Sequence, residues 1–220
     1  MIVLAIDTAG VDCSAALFDS ETGATLAAVT EMIGKGHAER LMAVIEEALA
    51  QAGRELNDVE RIVVVTGPGS FTGIRVGVAA ARGLALALDV PCVGVTTLEA
   101  LAVKHRETGA TGPVSVVMDA KREEVYVQAF SADGAPLSAS AAMAPSDVAT
   151  LTGSLSAEVI GSGRHLVLNQ PSDPSGVDRF DISTVARIGA TKLVEAARPR
   201  PVYLRGPDAK PQLGYALARV

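Results

Sequence analysis

The stretch that most constrains this chain is Gly67-Pro-Gly-Ser-Phe-Thr-Gly-Ile-Arg75. Before it comes Ile62-Val-Val-Val-Thr66, a short β-branched run that predicts a buried strand. Gly67, Pro68 and Gly69 break that strand and permit a tight turn. Ser70 or Thr72 then supplies an N-cap for a helix predicted to reach Leu88. Between Gly73 and Leu88 the only charges are Arg75 and Arg82, seven positions apart on one face. A helix apolar nearly all round must be covered nearly all round, by its own core or by another chain. Gly73, Gly77 and Ala81 recur at spacing four, so a second helix is expected to approach along that line.

The other strands and helices follow from similar patterns. Ile2–Ile6 is a strand that ends in the polar turn Asp7-Thr8-Ala9-Gly10. Cys13–Asp19 and Ala24–Glu31 are strands joined at Gly23. Gly34–His37 is a loop before a helix over Ala38–Ala52, whose apolar face carries Leu41, Val44, Ile45, Ala48 and Leu49. Met42 widens that face beyond the stripe one core contact needs. Pro91–Val95 is a further strand, and Leu98–His105 a short helix. A domain boundary falls near 100–112, giving a first α/β lobe over 1–105, joined by the tail 201–220, and a smaller lobe over 106–200.

The second half repeats the first. Val114–Met118 is an apolar strand and Asp119-Ala-Lys-Arg122 a polar turn. An alternating strand over Glu124–Ala129 and a weaker one near Pro136–Ala142 follow. Asp7 and Asp119 therefore occupy equivalent points, 112 positions apart. A duplicated strand–Asp–turn–strand–turn–strand unit is what two facing α/β subdomains around a cleft would show. Further on come a short helix over Ser146–Leu151, a strand over Ala157–Ile160 ending in Gly161-Ser-Gly163, a surface loop over Asn169–Asp178, and an amphipathic helix over Ser183–Ala197. That helix turns Val185, Ile188, Leu193 and Ala196 inward. Pro201–Arg205 is extended, and the tail from Gly206 has little periodicity.

The residue inventory excludes several chemistries. His37, His105 and His165 are the only histidines. They are far apart, and no zinc-binding spacing occurs, so no metal site is expected. His37 is expected to have a structural or partner-contact role. Ser70 does not fit a nucleophile elbow, because Phe71 and Thr72 separate it from Gly73; it reads as a helix cap. Gly67–Gly73 lacks the spacing and the lysine of a P-loop. Cys13 and Cys92 lie in apolar runs and read as free buried thiols. The net charge of −6 argues against a self-sufficient nucleic-acid surface. No leader or run of membrane-spanning length is seen, so a cytoplasmic chain without membrane contact is expected.

GPGSFTGIR and the small-residue helix after it resemble the hallmark of the TsaB family, the dimerisation subunit of the bacterial machinery that makes threonylcarbamoyladenosine in tRNA. Ile6-Asp-Thr8, Gly36-His37, Glu39 and Leu41 are similar to its opening turn and first helix. Met118-Asp-Ala-Lys-Arg122 with Glu124-Val-Tyr126 is similar to its second turn, with Lys121 in place of an arginine. Pro201-Val-Tyr-Leu-Arg205 resembles its carboxy-terminal signature. Ala9-Gly10 departs from the usual serine after Asp-Thr, which weakens any phosphate-holding role for that turn.

The resemblance implies an actin-like ATPase (ribonuclease H-like) fold of two lobes that has lost its own catalysis. It implies no catalytic residues and no required cofactor, with ATP or ADP at most weakly bound at Asp7, Thr8, Asp119, Lys121, Gly161 and Gly163. The catalytic paralogue TsaD carries a His-x-x-x-His metal pair that this chain lacks. The implied partners are TsaD, met through first-lobe helices, and the ATPase TsaE. Together they transfer threonylcarbamoyl to adenosine 37 of tRNA, and tRNA is reached only through the complex. A homodimer is expected when the partner is absent. The interface residues expected from the two over-apolar helices are His37, Leu41, Ile45, Gly73, Arg75, Val76, Gly77, Ala80, Ala81 and Leu84. The alternative is an ATP-dependent phosphotransferase or hydrolase acting alone through an Asp7/Asp119 cleft. A glycoprotease activity, an old label for relatives, has neither ligands nor a nucleophile here.

Overall fold

A computed structural model describes residues 1–172, 178–194 and 198–205. Its first sheet has five strands: β1 (Ile2–Asp7), β2 (Asp12–Asp19), β3 (Ala24–Met32), β4 (Arg61–Val65) and β5 (Cys92–Val95). They lie in the order β3-β2-β1-β4-β5. β1 runs antiparallel to β2 and parallel to β4. Every residue of β1 is buried, as expected of a strand covered on both faces. The second sheet has four strands: β6 (Val114–Asp119), β7 (Val125–Phe130), β8 (Ala141–Met143) and β9 (Glu158–Ile160), in the order β8-β7-β6-β9. Both sheets thus place an antiparallel three-strand meander beside a parallel crossover strand. This repeated order is the actin-like ATPase fold expected from the duplicated Asp turns.

Helices α1 (His37–Ala52) and α2 (Phe71–Leu88) lie side by side on one face of the first sheet. Ser70 caps α2, its hydroxyl accepting the Gly73 N–H. The Cα of Gly77 faces the Val64 side chain. Helix α6 (Ile182–Thr191) sits so close to the same strand that a Cβ on Gly189 would lie 2.3 Å from Val63. Neighbouring strand residues point to opposite faces, so α2 and α6 cover opposite sides of the sheet. Arg61 Nη1 donates to the carbonyls of Gly189, Ala190 and Lys192, closing the end of α6.

That placement corrects the domain boundary. Ile182, Val185 and Ala186 belong to the core of the first lobe, although the sequence reading assigned 106–200 to the second. Helix α3 (Thr97–Glu107) moves the other way: Leu98, Leu101 and Ala102 pack with Val114, Val116 and Phe130 of the second sheet. Leu193, expected inward, is 89% exposed because α6 has already ended. Ala196, the loop centre 173–177 and the tail from 206 lie outside the described residues. Helices α4 (Pro145–Leu155) and α5 (Arg164–Leu168) complete the second lobe; α5 was not anticipated, being too short for a periodic signal. A 3-10 turn over Leu56–Asp58 was also missed.

The segment 202–205 ties the lobes together. The Val202 N–H donates to the Thr66 carbonyl in the first lobe. Leu204 packs on the second-lobe core. Arg205 donates to Glu124 and to the carbonyls of Ala120 and Lys121. Those carbonyls open a turn in which Lys121, Arg122 and Glu123 all have positive φ, at 61°, 57° and 63°, a conformation costly for residues with a Cβ.

Candidate functional site

Two features carry functional potential. The first is a cleft of about 530 Å³ between the lobes. Its walls include Asp7, Asp12 and Ser70 from the first lobe and Asp119, Lys121 and Ser162 from the second, with Asp178 and Arg179 between them. Asp7 and Asp119 therefore do flank a cleft, as the duplication implied. Asp7 is buried, and that burial pushes its carboxyl up to about 6, against the pull of the Ala9 N–H that donates to it at 2.7 Å. For Asp119, burial works upward, but the Lys121 ammonium at 2.7 Å and the Lys121 N–H hold the carboxyl below its ordinary value. Burial raises Asp178 although Ser162 donates to it twice, from its N–H and its hydroxyl. Arg179 closes a two-pronged pair on Asp12 at 2.6 and 2.8 Å.

The other expected nucleotide residues do not reach this cleft. The Thr8 hydroxyl is turned to the Gly73 carbonyl at 2.7 Å, tying the first Asp turn to α2. A Cβ on Gly161 would meet the Val117 carbonyl at 2.4 Å, and one on Gly163 the Val117 side chain at 2.9 Å. Both glycines are required by packing against β6. Ser162 between them does line the cleft, as do Asp12, Asp178 and Arg179, none of them among the expected site residues; only Ser162 had a local signal, a serine flanked by two glycines after a strand. Four carboxylates, with both cleft cations already paired to two of them, suit a nucleotide's phosphates poorly. Among the described residues no three His, Cys, Asp or Glu side chains stand together as a metal site would need. Cys13 is buried and Cys92 half-buried, and both thiols are pushed up to about 11 by burial, which leaves them poor nucleophiles.

The second feature is the outer face of α2. The helix is 18 residues long and apolar, yet only a third of it is buried. Phe71, Arg75, Ala79, Arg82 and Leu86 form one exposed line along it. Arg82 and Arg75 carry its only charges. α1 alongside exposes Met42, Glu46 and Glu47.

The structure redistributes the ten expected interface residues. Leu41, Ile45 and Ala81 are core, and His37 is buried with Nε2 against the Asp12 carbonyl at 3.1 Å. Gly73 and Gly77 face Thr8, where a Cβ would come within 2.0 and 2.5 Å of its oxygens. The line therefore seats α2 on the tip of β1 through Gly73 and Gly77, and among the described residues no second helix meets those two glycines. Arg75 is exposed, while Val76, Ala80 and Leu84 are partly so. The α2 residues that face outward and were not among the expected interface residues are Phe71, Thr72, Ala79, Arg82, Gly83, Leu86 and Ala87. A helical wheel centred opposite Gly73–Gly77–Ala81 would have found them.

Relatives agree with this architecture. The TsaD family, described as tRNA N6-adenosine threonylcarbamoyltransferase, matches residues 28–176. An uncharacterised protein of Mycobacterium leprae, ML0378, is 37% identical over 96% of this chain and 56% of its own length. The Escherichia coli tRNA threonylcarbamoyladenosine biosynthesis protein TsaB is 37% identical over 60% of this chain and 56% of its own. The chain thus spans little more than half the length of these two curated relatives. The solved structure of YeaZ from Pseudomonas aeruginosa superposes with a TM-score of 0.76 at 31% identity, covering 92% of this chain and 99% of that one. With a YeaZ structure matched over nearly its whole length at 31% identity and the TsaD family matched over residues 28–176, the chain belongs to the TsaB (YeaZ) family.

Proposed function

We propose that the chain is a non-catalytic pairing subunit in the synthesis of threonylcarbamoyladenosine in tRNA. It works in the cytoplasm, docking a TsaD-type catalytic subunit on the outer face of α2 and α1 and helping to recruit the ATPase TsaE. The observation that carries this reading is α2 itself, an apolar helix that turns Phe71, Ala79, Leu86 and Ala87 outward, away from the core. Exposed apolar surface of this extent marks an association site. By length and composition the helix could also cross a membrane. Its inner face, however, is fixed on the sheet through Gly73, Ile74, Gly77 and Val78, which supports protein docking. The same face explains a homodimer when the partner is absent. The poor fit of the cleft to phosphates supports a subunit that needs no nucleotide of its own and meets tRNA only within the complex.

Light scattering of the chain alone and mixed with a TsaD-type subunit tests the proposal. A homodimer that re-forms as a one-to-one heterodimer is expected; a monomer indifferent to the partner would refute it. The competing reading, a phosphotransferase or hydrolase acting through Asp7 and Asp119, has the existence of the cleft in its favour and the charge of the cleft against it. It requires magnesium-dependent ATP turnover that is lost in Asp7→Ala.

A further inference from the structure

The exposed line on α2 begins with an ordered guanidinium. Arg75 Cζ lies 3.6 Å from the centroid of the Phe71 ring and 5.5 Å from that of Tyr203. The two rings are themselves 5.0 Å apart, and Arg75 Nε donates to the Tyr203 hydroxyl at 2.7 Å. Phe71 and Tyr203 are 48% and 46% exposed, so this stack stands at the surface. These contacts hold the guanidinium by its face and its Nε edge, and among the described residues neither Nη carries a hydrogen bond or ion pair.

We infer that Arg75 is the anchor by which this face recognises a carboxylate on its protein partner. The inference rests on the pairing reading above and assigns the contact its chemistry. Three observations support it. Arg75 sits in the early turns of α2, where the helix dipole is positive, and no acidic residue lies anywhere between Phe71 and Leu88; the local positive potential therefore has no answer on its own helix. A planar fork held in place loses little freedom on meeting a carboxylate and binds it through two parallel bonds. Aromatic and arginine side chains clustered at a surface are also the composition of interface hot spots. A protein carboxylate fits better than an RNA phosphate. The rest of the line is apolar at Ala79 and Leu86 and adds a single further cation, Arg82, while α1 beside it exposes Glu46 and Glu47 and the chain carries a net charge of −6; two isolated cations beside that acidic surface suit a carboxylate better than a polyanion.

The test is titration calorimetry of the full chain with a TsaD-type subunit, with thermal melts alongside. Arg75→Ala is expected to weaken pairing about tenfold or more, as a hot-spot truncation does. Arg75→Lys should fail to restore it, because an ammonium lacks the fork. Tyr203→Phe, which removes only the acceptor hydroxyl, should lie between. None should lower the melting temperature by more than about 2 °C, since all three groups are at the surface. Raising the salt from about 50 to about 500 mM should weaken the wild-type complex more than the Arg75→Ala complex. Equal affinity of the wild type, Arg75→Ala and Arg75→Lys would overturn the inference while leaving the pairing reading intact. Failure of the wild type itself to pair would remove both. A loss confined to tRNA binding by the isolated chain would reassign the contact to phosphate and overturn the carboxylate assignment.

Discussion

Thr8 and Gly73 lock the first Asp turn to the start of α2: the Thr8 hydroxyl donates to the Gly73 carbonyl at 2.7 Å, and a Cβ on Gly73 would fall 2.0 Å from the Thr8 carbonyl oxygen. Backbone on both sides leaves nothing flexible to yield. Gly73→Ala is therefore expected to destabilise the chain by about 3 kcal/mol, the upper end for overpacking. Gly83, on the same helix, has open space around its Cα. Gly83→Ala should stabilise by about 0.5–1 kcal/mol, the usual gain in a helix interior. Denaturant melts of the two variants should shift in opposite directions; shifts of the same sign would mean that α2 is not seated on β1 as described.

Asp7 makes stability fall as pH rises. Its folded carboxyl is raised from 3.8 to about 6, so the folded state holds a proton that the unfolded chain releases. That contribution is complete below about pH 4 and is lost as pH climbs through about 6. A shift of this size corresponds to about 3 kcal/mol at most. Asp7→Asn keeps an oxygen for the Ala9 N–H and carries no charge. Its melting temperature should exceed that of the wild type at pH 7, and the gap should shrink toward pH 4. A gap that does not change with pH would show that Asp7 is not held in a desolvated pocket.

The outer face of α2 can be altered without touching the core. Leu86 is 65% exposed, and Leu86→Glu should abolish homodimer and heterodimer in light scattering while leaving the melting temperature nearly unchanged. Leu41→Glu, by contrast, buries a charge among Val44, Ile45 and β2 and should unfold the lobe. A Leu86→Glu variant that still pairs would move the interface elsewhere.

Arg205 holds the left-handed turn at Lys121–Glu123. Removing its charged bonds to Glu124 and to two carbonyls should cost about 1–3 kcal/mol. Amide exchange over residues 119–124 should accelerate in Arg205→Ala, while β1 and β4 stay protected. Unchanged exchange there would show that the turn is stable without the strap.

The sequence was most legible where a local rule has one outcome. The two strand–Asp–turn units, the Ser70 cap and the burial of β1 and β4 all follow from residue type and spacing. What stayed hidden was the identity of the opposing surface. Small residues at spacing four look the same whether a helix or a strand tip lies against them, so Gly73, Gly77 and Ala81 were read as a helix contact. The amphipathic pattern of α6 showed that one face is buried, but not that the burial lies across the opposite side of a sheet whose last strand ends at Val95, long before Ile182. Shifts such as that of Asp7 depend on which groups the fold brings around a carboxyl, and Asp119, its sequence equivalent, moves the opposite way because Lys121 is at hand.

The return of α6 to the first sheet sets an order of events during synthesis. When residues 1–95 have left the ribosome, every strand of that sheet is available, yet the face of β4 that carries Val63 still lacks its cover. The cover arrives only with residues 182–191, and the strap that joins the lobes comes later still. At typical elongation speeds of about 5–20 residues per second, the half-built sheet waits roughly 5–20 s with an apolar face open. Nascent chains of this fold are therefore natural clients for a holding chaperone during that interval.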